Sequence, residues 1–161
     1  MALIDLAERI WQRLPRRVQG RVLYLTQDHF LLGVVGIIRD DRSRVLLLEH
    51  RFRTDPWGLP GGFLKGGESP AEGLEREIHE ETGLVVRAEP QIWHTLFSAG
   101  GRYATLTLTG EVVSGSLSYG LELKGGGFFE PDEIPAQTHA AHAELIRRWA
   151  DTTIADPRSA S

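Results

Sequence analysis

The chain has 161 residues, 41% of them hydrophobic and 25% charged, which is the usual balance of one globular domain. Its formal net charge of -4 argues against a general nucleic-acid-binding protein, because such proteins carry a basic excess. The absence of cysteine excludes disulfides, thiolate metal sites and a cysteine nucleophile, so any metal must bind oxygen or imidazole.

No apolar run in the sequence is long enough to cross a membrane. The N-terminus carries acidic residues where a secretory signal has a basic start and an apolar centre. We therefore expect a cytoplasmic protein without a membrane span.

The first segment is predicted to form an amphipathic helix that ends at Pro15. Five arginines against Asp5 and Glu8 give residues 1–21 a charge of +3, which would suit a helix on a membrane surface. Packing on its own domain or on a homodimer partner is the preferred interpretation. We expect an N-terminal extension over residues 1–20, a main domain over residues 21–151 and a disordered tail over residues 152–161.

The rest of the chain mixes strand and helix patterns. Residues 31–40 and 44–52 are predicted to be strands joined by a turn, and the glycine-rich stretch 57–69 is predicted to be a loop. Ser69 with Glu72, Pro70 and Gly83 predict a helix over residues 70–82. Strands are then predicted within 84–97, 103–113 and 126–130, and a closing helix over 138–150. This order favours an α/β (α+β) fold in which helices sandwich a mixed sheet.

The predicted helix 70–82 carries an acidic cluster. Glu77, Glu80 and Glu81 occupy positions i, i+3 and i+4, so their carboxylates lie on one face. Like charges this close are unfavourable unless a cation lies against them, and magnesium prefers such oxygen ligands. The alternative is a solvated acidic face in which Arg76 balances its neighbours at i±4.

The residues around this cluster match a longer motif. From Gly62 to Leu84 the chain reads GFLKGGESPAEGLEREIHEETGL. It resembles the Nudix hydrolase box, G-x5-E-x7-R-E-U-x-E-E-x-G-U with U a bulky aliphatic, at every defined position. Seven fixed identities arise by chance on the order of once in 10⁸ windows at about 7% usage for each residue type. The resemblance extends over residues 31–150 and implies the α/β/α sandwich of that family.

The resemblance implies a pyrophosphohydrolase that uses Mg²⁺ or Mn²⁺, with more than one ion bound. Its metal ligands would be Glu77, Glu80, Glu81 and the backbone carbonyl of Gly61, with Glu68 as an accessory acid. Arg76 would hold the carboxylates in position by ion pairing. The reaction would cleave the phosphoanhydride bond of a nucleoside diphosphate linked to another moiety. Water would attack phosphorus and release a nucleoside monophosphate and a phosphorylated product or phosphate.

The sequence offers two candidate positions for the general base that activates the water. Glu122 precedes an aromatic strand and a PDEIP turn, which resembles a late acidic residue of the family. Glu80 or Glu81 of the helix is the alternative base. A catalytically silent module that binds a nucleotide or metabolite is the alternative to an enzyme, although such relatives usually lose box carboxylates, and this chain keeps them all.

The substrate is a small nucleotide-type compound whose identity the sequence leaves open. The aromatic candidates for stacking on a base are Trp57, Phe97 and Tyr103. The arginine candidates for phosphate contacts are Arg51, Arg53 and Arg102. Core packing of the aromatics and solvation of the arginines are the alternatives. Histidines other than the variable box residue His79 are expected on the surface or in the core. The proline of ADP-ribose enzymes is absent beyond the box.

Overall fold

The computed structural model describes residues 2–98 and 101–155, which fall into two compact units divided between Phe30 and Leu31. The first unit contains helix α1 (Ala2–Arg13) and helix α2 (Arg16–Thr26). α1 ends before Pro15 as predicted, and the Gln19 amide donates to the Trp11 carbonyl at 2.8 Å and the Leu14 carbonyl at 3.1 Å. The sequence did not predict α2. This helix runs through residue 20, where the domain boundary was expected, and that boundary stays a prediction.

The second unit contains eight strands and two helices among the described residues. In chain order these are β1 (Leu31–Arg39), β2 (Val45–His50), β3 (Trp57–Gly58), β4 (Gly61–Phe63), α3 (Pro70–Thr82), β5 (Val85–Ala88), β6 (His94–Phe97), β7 (Tyr103–Ser114), β8 (Leu123–Phe129) and α4 (Ala140–Ala155).

The strands form one mixed sheet, as predicted. Its main order is β3-β2-β1-β7-β5, and β4, β6 and β8 pair with β1, β7 and β2. β1 and β7 run parallel from Leu31 opposite Tyr103 to Arg39 opposite Glu111, and the other pairings are antiparallel. Between β1 and β2, Asp40 accepts hydrogen bonds from the Arg42 and Arg44 amides. It also forms an ion pair with the Arg44 guanidinium. These contacts close the predicted turn.

Alternation along the strands sends side chains to two cores. In β1, Val34 and Ile38 belong to the first core and Ile37 to the second. The first core contains Leu74 and Ile78 of α3, and the second contains Leu145, Ile146 and Trp149 of α4. The sheet therefore lies between two helical layers, which confirms the predicted sandwich.

Several boundaries differ from the sequence predictions. The segment 57–69, predicted to be a loop, contains the short strands β3 and β4, because its backbone pairs with β2 and β1. The segment 84–97 forms two strands rather than one, and Glu89–Trp93 separate them. α4 continues to Ala155, so the first four residues of the segment expected to be a disordered tail are helical. The rest of that segment, residues 156–161, lies outside the described residues.

Candidate active site

Helix α3 carries the acidic cluster, and its ends are fixed by the residues that predicted them. Ser69 accepts a hydrogen bond from the Glu72 amide, and the Glu72 side chain accepts one from the Ser69 amide. Gly83 ends the helix at φ 70°, a left-handed conformation that favours glycine. The helix runs over Pro70–Thr82, as predicted. Its buried residues Leu74 and Ile78 face the first core, which fixes the direction in which the glutamates project.

Arg76 links four groups around the cluster. Its Nε and Nη2 atoms donate to the two oxygens of Glu68 at 3.0 and 2.7 Å, a bidentate ion pair. Its Nη1 atom lies 2.7 Å from Glu77 and 3.3 Å from Glu80. Nη2 also donates to the Phe63 carbonyl at 3.2 Å. One half-buried guanidinium therefore sets the positions of carboxylates from the loop and from the helix.

Glu68 belongs to this network through the loop before α3. The Arg76 ion pair and the Lys65 amide, which donates to the same carboxylate at 2.5 Å, lower the Glu68 pKa to about 2. The carboxylates in turn raise the Arg76 pKa above its usual value, with Glu68 and Glu77 as the main causes. Both groups are therefore fully charged at neutral pH.

The glycines before α3 allow the backbone to approach the glutamates. A side chain at Gly62 would collide with the Glu77 carboxylate. Gly61 has φ 145°, and its amide donates to the Glu81 carboxylate at 3.3 Å. A side chain there would also collide with the Val34 carbonyl on the neighbouring strand. Glycine is therefore required at Gly61, where the backbone is left-handed and lies against the Val34 carbonyl, whereas a side chain at Gly62 would displace the Glu77 carboxylate.

Glu81 is partly buried. Burial, as the main cause, and the nearby charges of Glu77 and Glu122 together raise its pKa to about 7. The Gly61 amide and the positive charge of Arg53 act in the opposite direction. Glu122, which is distant in sequence, thus lies within electrostatic reach of Glu81 and shares its surroundings with Arg53.

Arg51 positions the loop that carries Glu122. Its side chain donates to the Leu121 carbonyl and the Leu123 carbonyl, each at 3.1 Å, and its amide donates to the Glu122 carbonyl at 2.9 Å. These three bonds engage the backbone on both sides of Glu122 and at Glu122 itself. Arg51 was a candidate for substrate contact, but its side chain binds the protein's own backbone.

The donor set suits a hard divalent cation. Glu77, Glu81 and Glu122 offer only carboxylate oxygens. The pKa of Glu81 is raised mainly by burial and in part by the negative charges of Glu77 and Glu122, which a cation would offset. Within residues 2–98 and 101–155, however, no three acidic or histidine side chains converge closely enough to hold a metal ion. Glu77 and Glu80 are engaged by Arg76 instead. A metal ion held jointly by Glu77, Glu80 and Glu81 would require the first two side chains to turn away from Arg76.

A cavity of about 200 Å³ adjoins the acidic cluster. It is lined by the backbone of Gly61 and Gly62, by apolar side chains and by three polar side chains, those of Arg53, Thr105 and His142. The apolar wall includes Val35, Leu59 and Phe63. Arg53 is therefore one predicted substrate residue that lies at a cavity.

The other predicted substrate residues lie elsewhere. Trp57 packs edge-on against Phe129, with ring centroids 5.3 Å apart, at the margin of the second core. Tyr103 lies 6.2 Å from the Phe63 ring and is 46% exposed. Arg102 is exposed, and its carbonyl accepts a hydrogen bond from the Leu31 amide at 2.9 Å. The lining of the 200 Å³ cavity includes none of these three residues.

Two residues that line the cavity were not among the site residues predicted from the sequence. His142, expected on the surface or in the core, lines the cavity from α4, and Thr105 lines it from β7. His142 accepts a hydrogen bond from the Leu59 amide across 83 positions of sequence. A contact between residues so far apart in sequence leaves no local pattern. The local signal is the i, i+3 spacing of His139 and His142 at the start of α4.

Among the residues that the structure describes, no helix is long and apolar enough to cross a membrane.

Comparisons with known proteins place the chain in a family. The NUDIX domain model matches residues 29–149. An ADP-ribose pyrophosphatase of Methanocaldococcus jannaschii is 31% identical over 139 residues, which cover 79% of this chain and 77% of that protein. A CMP-5'-(N-acetyl-N-hydroxy-3-aminopropyl)phosphonate hydrolase of Streptomyces rubellomurinus is 46% identical over 69 residues, covering 38% of this chain and 34% of that protein.

Solved structures give the same fold. The crystal structure of a NUDIX hydrolase from Nitrosomonas europaea superposes with a TM-score of 0.69 at 19% identity, over 78% of this chain and 72% of that chain. Together with the family match over residues 29–149, the complete box and its arrangement on α3 lead to one conclusion. The chain belongs to the NUDIX family and is a Nudix hydrolase.

Proposed function

We propose that this protein is a metal-dependent pyrophosphohydrolase that cleaves a nucleoside diphosphate linked to a second moiety. The observation that carries the proposal is the position of Glu81. Its carboxylate is bound by the Gly61 amide, and Gly61 and Gly62 also line the cavity that adjoins the glutamates. A diphosphate in this cavity would therefore lie against the acidic face of α3.

Glu77, Glu80, Glu81 and the Gly61 carbonyl are the proposed ligands of Mg²⁺ or Mn²⁺, with Glu68 as an accessory acid. More than one ion is proposed, because a diphosphate and several carboxylates together carry a large negative charge. Bound ions would neutralise the diphosphate, polarise the attacked phosphorus and stabilise the leaving oxygen. Arg76 would keep Glu68, Glu77 and Glu80 within reach of one another.

The proposed reaction is attack of water on phosphorus. A new phosphorus–oxygen bond forms, the anhydride bond breaks and a nucleoside monophosphate and a phosphorylated product leave. The water proton passes to a carboxylate. Glu122 is the proposed acceptor because its loop is held by Arg51 and its charge acts on Glu81. Glu80 or Glu81 of α3 remains the alternative base.

The names of the two sequence relatives suggest where to begin with substrates. One acts on ADP-ribose and the other on a CMP-linked phosphonate, and in both names a nucleotide is joined to a second group. ADP-ribose is therefore our first candidate, although the chain lacks the proline expected beyond the box of ADP-ribose enzymes. Nucleotide sugars, diadenosine polyphosphates, NADH and nucleoside triphosphates complete the panel.

The test is product release from this panel with Mg²⁺, with Mn²⁺ and with chelator. We expect metal-dependent cleavage of one compound well above the others. Glu81→Gln should lower its kcat by about 10²-fold or more, because it removes a charge from the proposed metal site. Glu144→Gln, an exposed change on α4, is the matched control and should keep full activity. Cleavage that survives chelation, or normal turnover by Glu81→Gln, would contradict the proposal.

A further inference from the structure

One ring nitrogen of His142 accepts a hydrogen bond from the protein, and the other is not among the fully buried polar atoms that lack a partner. Its Nδ1 atom accepts the hydrogen bond of the Leu59 amide at 3.0 Å, so in the neutral ring the proton lies on Nε2. Burial, together with the charge of Arg53 and the neighbouring His139 and His50, lowers the His142 pKa to about 4. At neutral pH the ring is therefore an uncharged donor with its tautomer set by the backbone.

The Nε2–H group of His142 has no hydrogen-bond partner within residues 2–98 and 101–155. It is also not sealed from solvent. The polar side-chain atoms buried without a partner in the described part of the chain are Nε2 of His50 and Oγ1 of Thr107. Because His142 lines the cavity beside Gly61 and Gly62, a bound molecule can reach this donor.

Arg53 lies near His142, and its charge acts on both His142 and Glu81. A methyl group placed on Gly58 would lie 2.9 Å from Nδ1 of His142 and 3.7 Å from Nη1 of Arg53, so the two side chains flank the same backbone position. No ion pair or hydrogen bond occupies the Arg53 side chain within the described residues.

The cavity combines polar and apolar surface. Its polar side chains are those of Arg53, Thr105 and His142, and its apolar lining includes Val35, Leu59 and Phe63. A charged phosphate suits the guanidinium of Arg53, and an uncharged group with one acceptor oxygen suits the neutral His142 donor and the apolar lining.

We propose that His142 and Arg53 form the subsite for the group attached to the diphosphate. Arg53 binds a phosphate oxygen next to the acidic cluster. The Nε2–H of His142 donates to an uncharged oxygen, a hydroxyl or a carbonyl, on the attached group. This assignment rests on the proposed hydrolysis of nucleotide-linked diphosphates. It makes His142 a residue that selects for the attached group rather than for the diphosphate.

Two replacements of His142 distinguish the role of its Nδ1 acceptor from that of its Nε2 donor. Asparagine places an acceptor near Nδ1 and removes the distant donor, so His142→Asn keeps the Leu59 contact. Glutamine reaches the position of Nε2 and restores a donor there. His29→Asn, at an exposed histidine of the other unit, is the control for the substitution itself. Urea unfolding at pH 7 establishes that each variant is folded before binding is measured.

The probes are ADP-ribose, which has hydroxyl acceptors beyond its diphosphate, and inorganic pyrophosphate, which has none. With Mg²⁺ present, His142→Asn should raise the KM for ADP-ribose roughly five- to tenfold, as loss of one hydrogen bond does, and change kcat less than twofold. Its inhibition constant for pyrophosphate should not change. His142→Gln should recover most of the lost affinity. An unchanged KM, or an equal loss for both probes, would overturn the proposal.

Calorimetry keeps this test separate from that of the proposed function. Binding of ADP-ribose and of pyrophosphate is measured for the wild-type protein and for His142→Asn in the presence of Mg²⁺. If the wild-type protein binds ADP-ribose but cleaves nothing, the hydrolase proposal fails while the predicted selective loss in His142→Asn still supports the subsite. If the wild-type protein does not bind ADP-ribose, or if both probes weaken together, the subsite proposal fails.

Discussion

Arg76 connects the loop of the box to the helix of the box. Its guanidinium reaches Glu68, Glu77, Glu80 and the Phe63 carbonyl, and it uses the planar geometry that arginine alone provides. The spacing in the sequence indicated the contact with Glu80 at i+4. It did not indicate the bidentate pair with Glu68, because that residue precedes the helix and is brought close by the turn at Lys65–Glu68.

Arg76→Lys tests whether geometry or charge is needed at this position. Lysine keeps one positive charge but cannot hold several groups with fixed donors. We expect kcat/KM to fall about 10- to 100-fold, the usual effect of losing a residue that orients metal ligands. Steady-state kinetics with a Mg²⁺ titration measures this. Arg87→Lys, at an exposed pair with Glu111, is the control, and equal activity of both variants would contradict the assigned role.

Glu122→Gln tests the proposed proton acceptor. If Glu122 takes the proton of the attacking water, the variant should have a lower kcat and should lose the acidic limb of the pH–rate profile. The profiles of the wild-type protein and the variant are compared from pH 5 to pH 9. Glu130→Gln, an exposed change after β8, serves as the control. A lower rate with an unaltered profile would return the role to Glu80 or Glu81.

At the scale of elements, α3 shows why the site could be predicted from sequence. Its start and end depend on contacts within a few residues, those of Ser69 with Glu72 and of Gly83 with His79. Local contacts leave local patterns, so the helix boundaries and the carboxylate face followed directly from the sequence.

Ser69→Ala should measure what the capping box contributes. The change removes the side-chain acceptor of the Glu72 amide, and we expect a loss of about 0.5–2 kcal/mol in the free energy of unfolding. Urea denaturation with an unchanged slope would give this value. Ser69→Thr keeps the acceptor and should lose less. If both variants have wild-type stability, the helix start is fixed by packing of Leu74 and Ile78 alone.

Elements that depend on distant contacts were predicted less well. β3 and β4 lie in a glycine-rich segment that has no strand pattern, and they form because β2 and β1 supply pairing partners. Likewise, the Glu122 loop is set by Arg51 and the cavity by His142 of α4, each more than 60 residues distant from its contact. The box could be predicted because it is contiguous, whereas the substrate side of the site is assembled by the sheet.

At the scale of the whole molecule, the two hydrophobic cores belong to one unit. All residues named in both cores lie between Val34 and Ala150. The family match begins at residue 29, close to the division between Phe30 and Leu31. Among the described residues, none before Val34 is named in either core.

Deletion of residues 1–28 should leave the fold and the activity in place. We expect the shortened protein to keep the urea midpoint within a few per cent and kcat within about twofold, since neither core loses a residue. Size-exclusion chromatography on both forms would show whether the N-terminal helices carry self-association. Loss of folding would show that α1 and α2 are part of the main domain. Full folding with altered oligomeric state would assign them to the expected homodimer contact.

The response of stability to pH should reveal His142 in the folded protein. Its pKa is about 4 when folded, against about 6.5 when unfolded. Between these values the unfolded chain binds one more proton, so His142 lowers stability as the pH falls from 6.5 to 4. His50 acts in the same direction, and the raised pKa of Glu81 acts in the opposite direction in metal-free protein.

His142→Asn isolates this contribution because the other groups are present in both proteins. The stability of the wild-type protein relative to the variant should fall as the pH is lowered from 7.5 to 5, by at most about 2 kcal/mol at about 1.4 kcal/mol for each pKa unit. Urea unfolding in chelator at five pH values measures the difference. Parallel curves would mean that His142 takes up a proton equally in both states. The neutral donor inferred at the cavity would then be wrong as well.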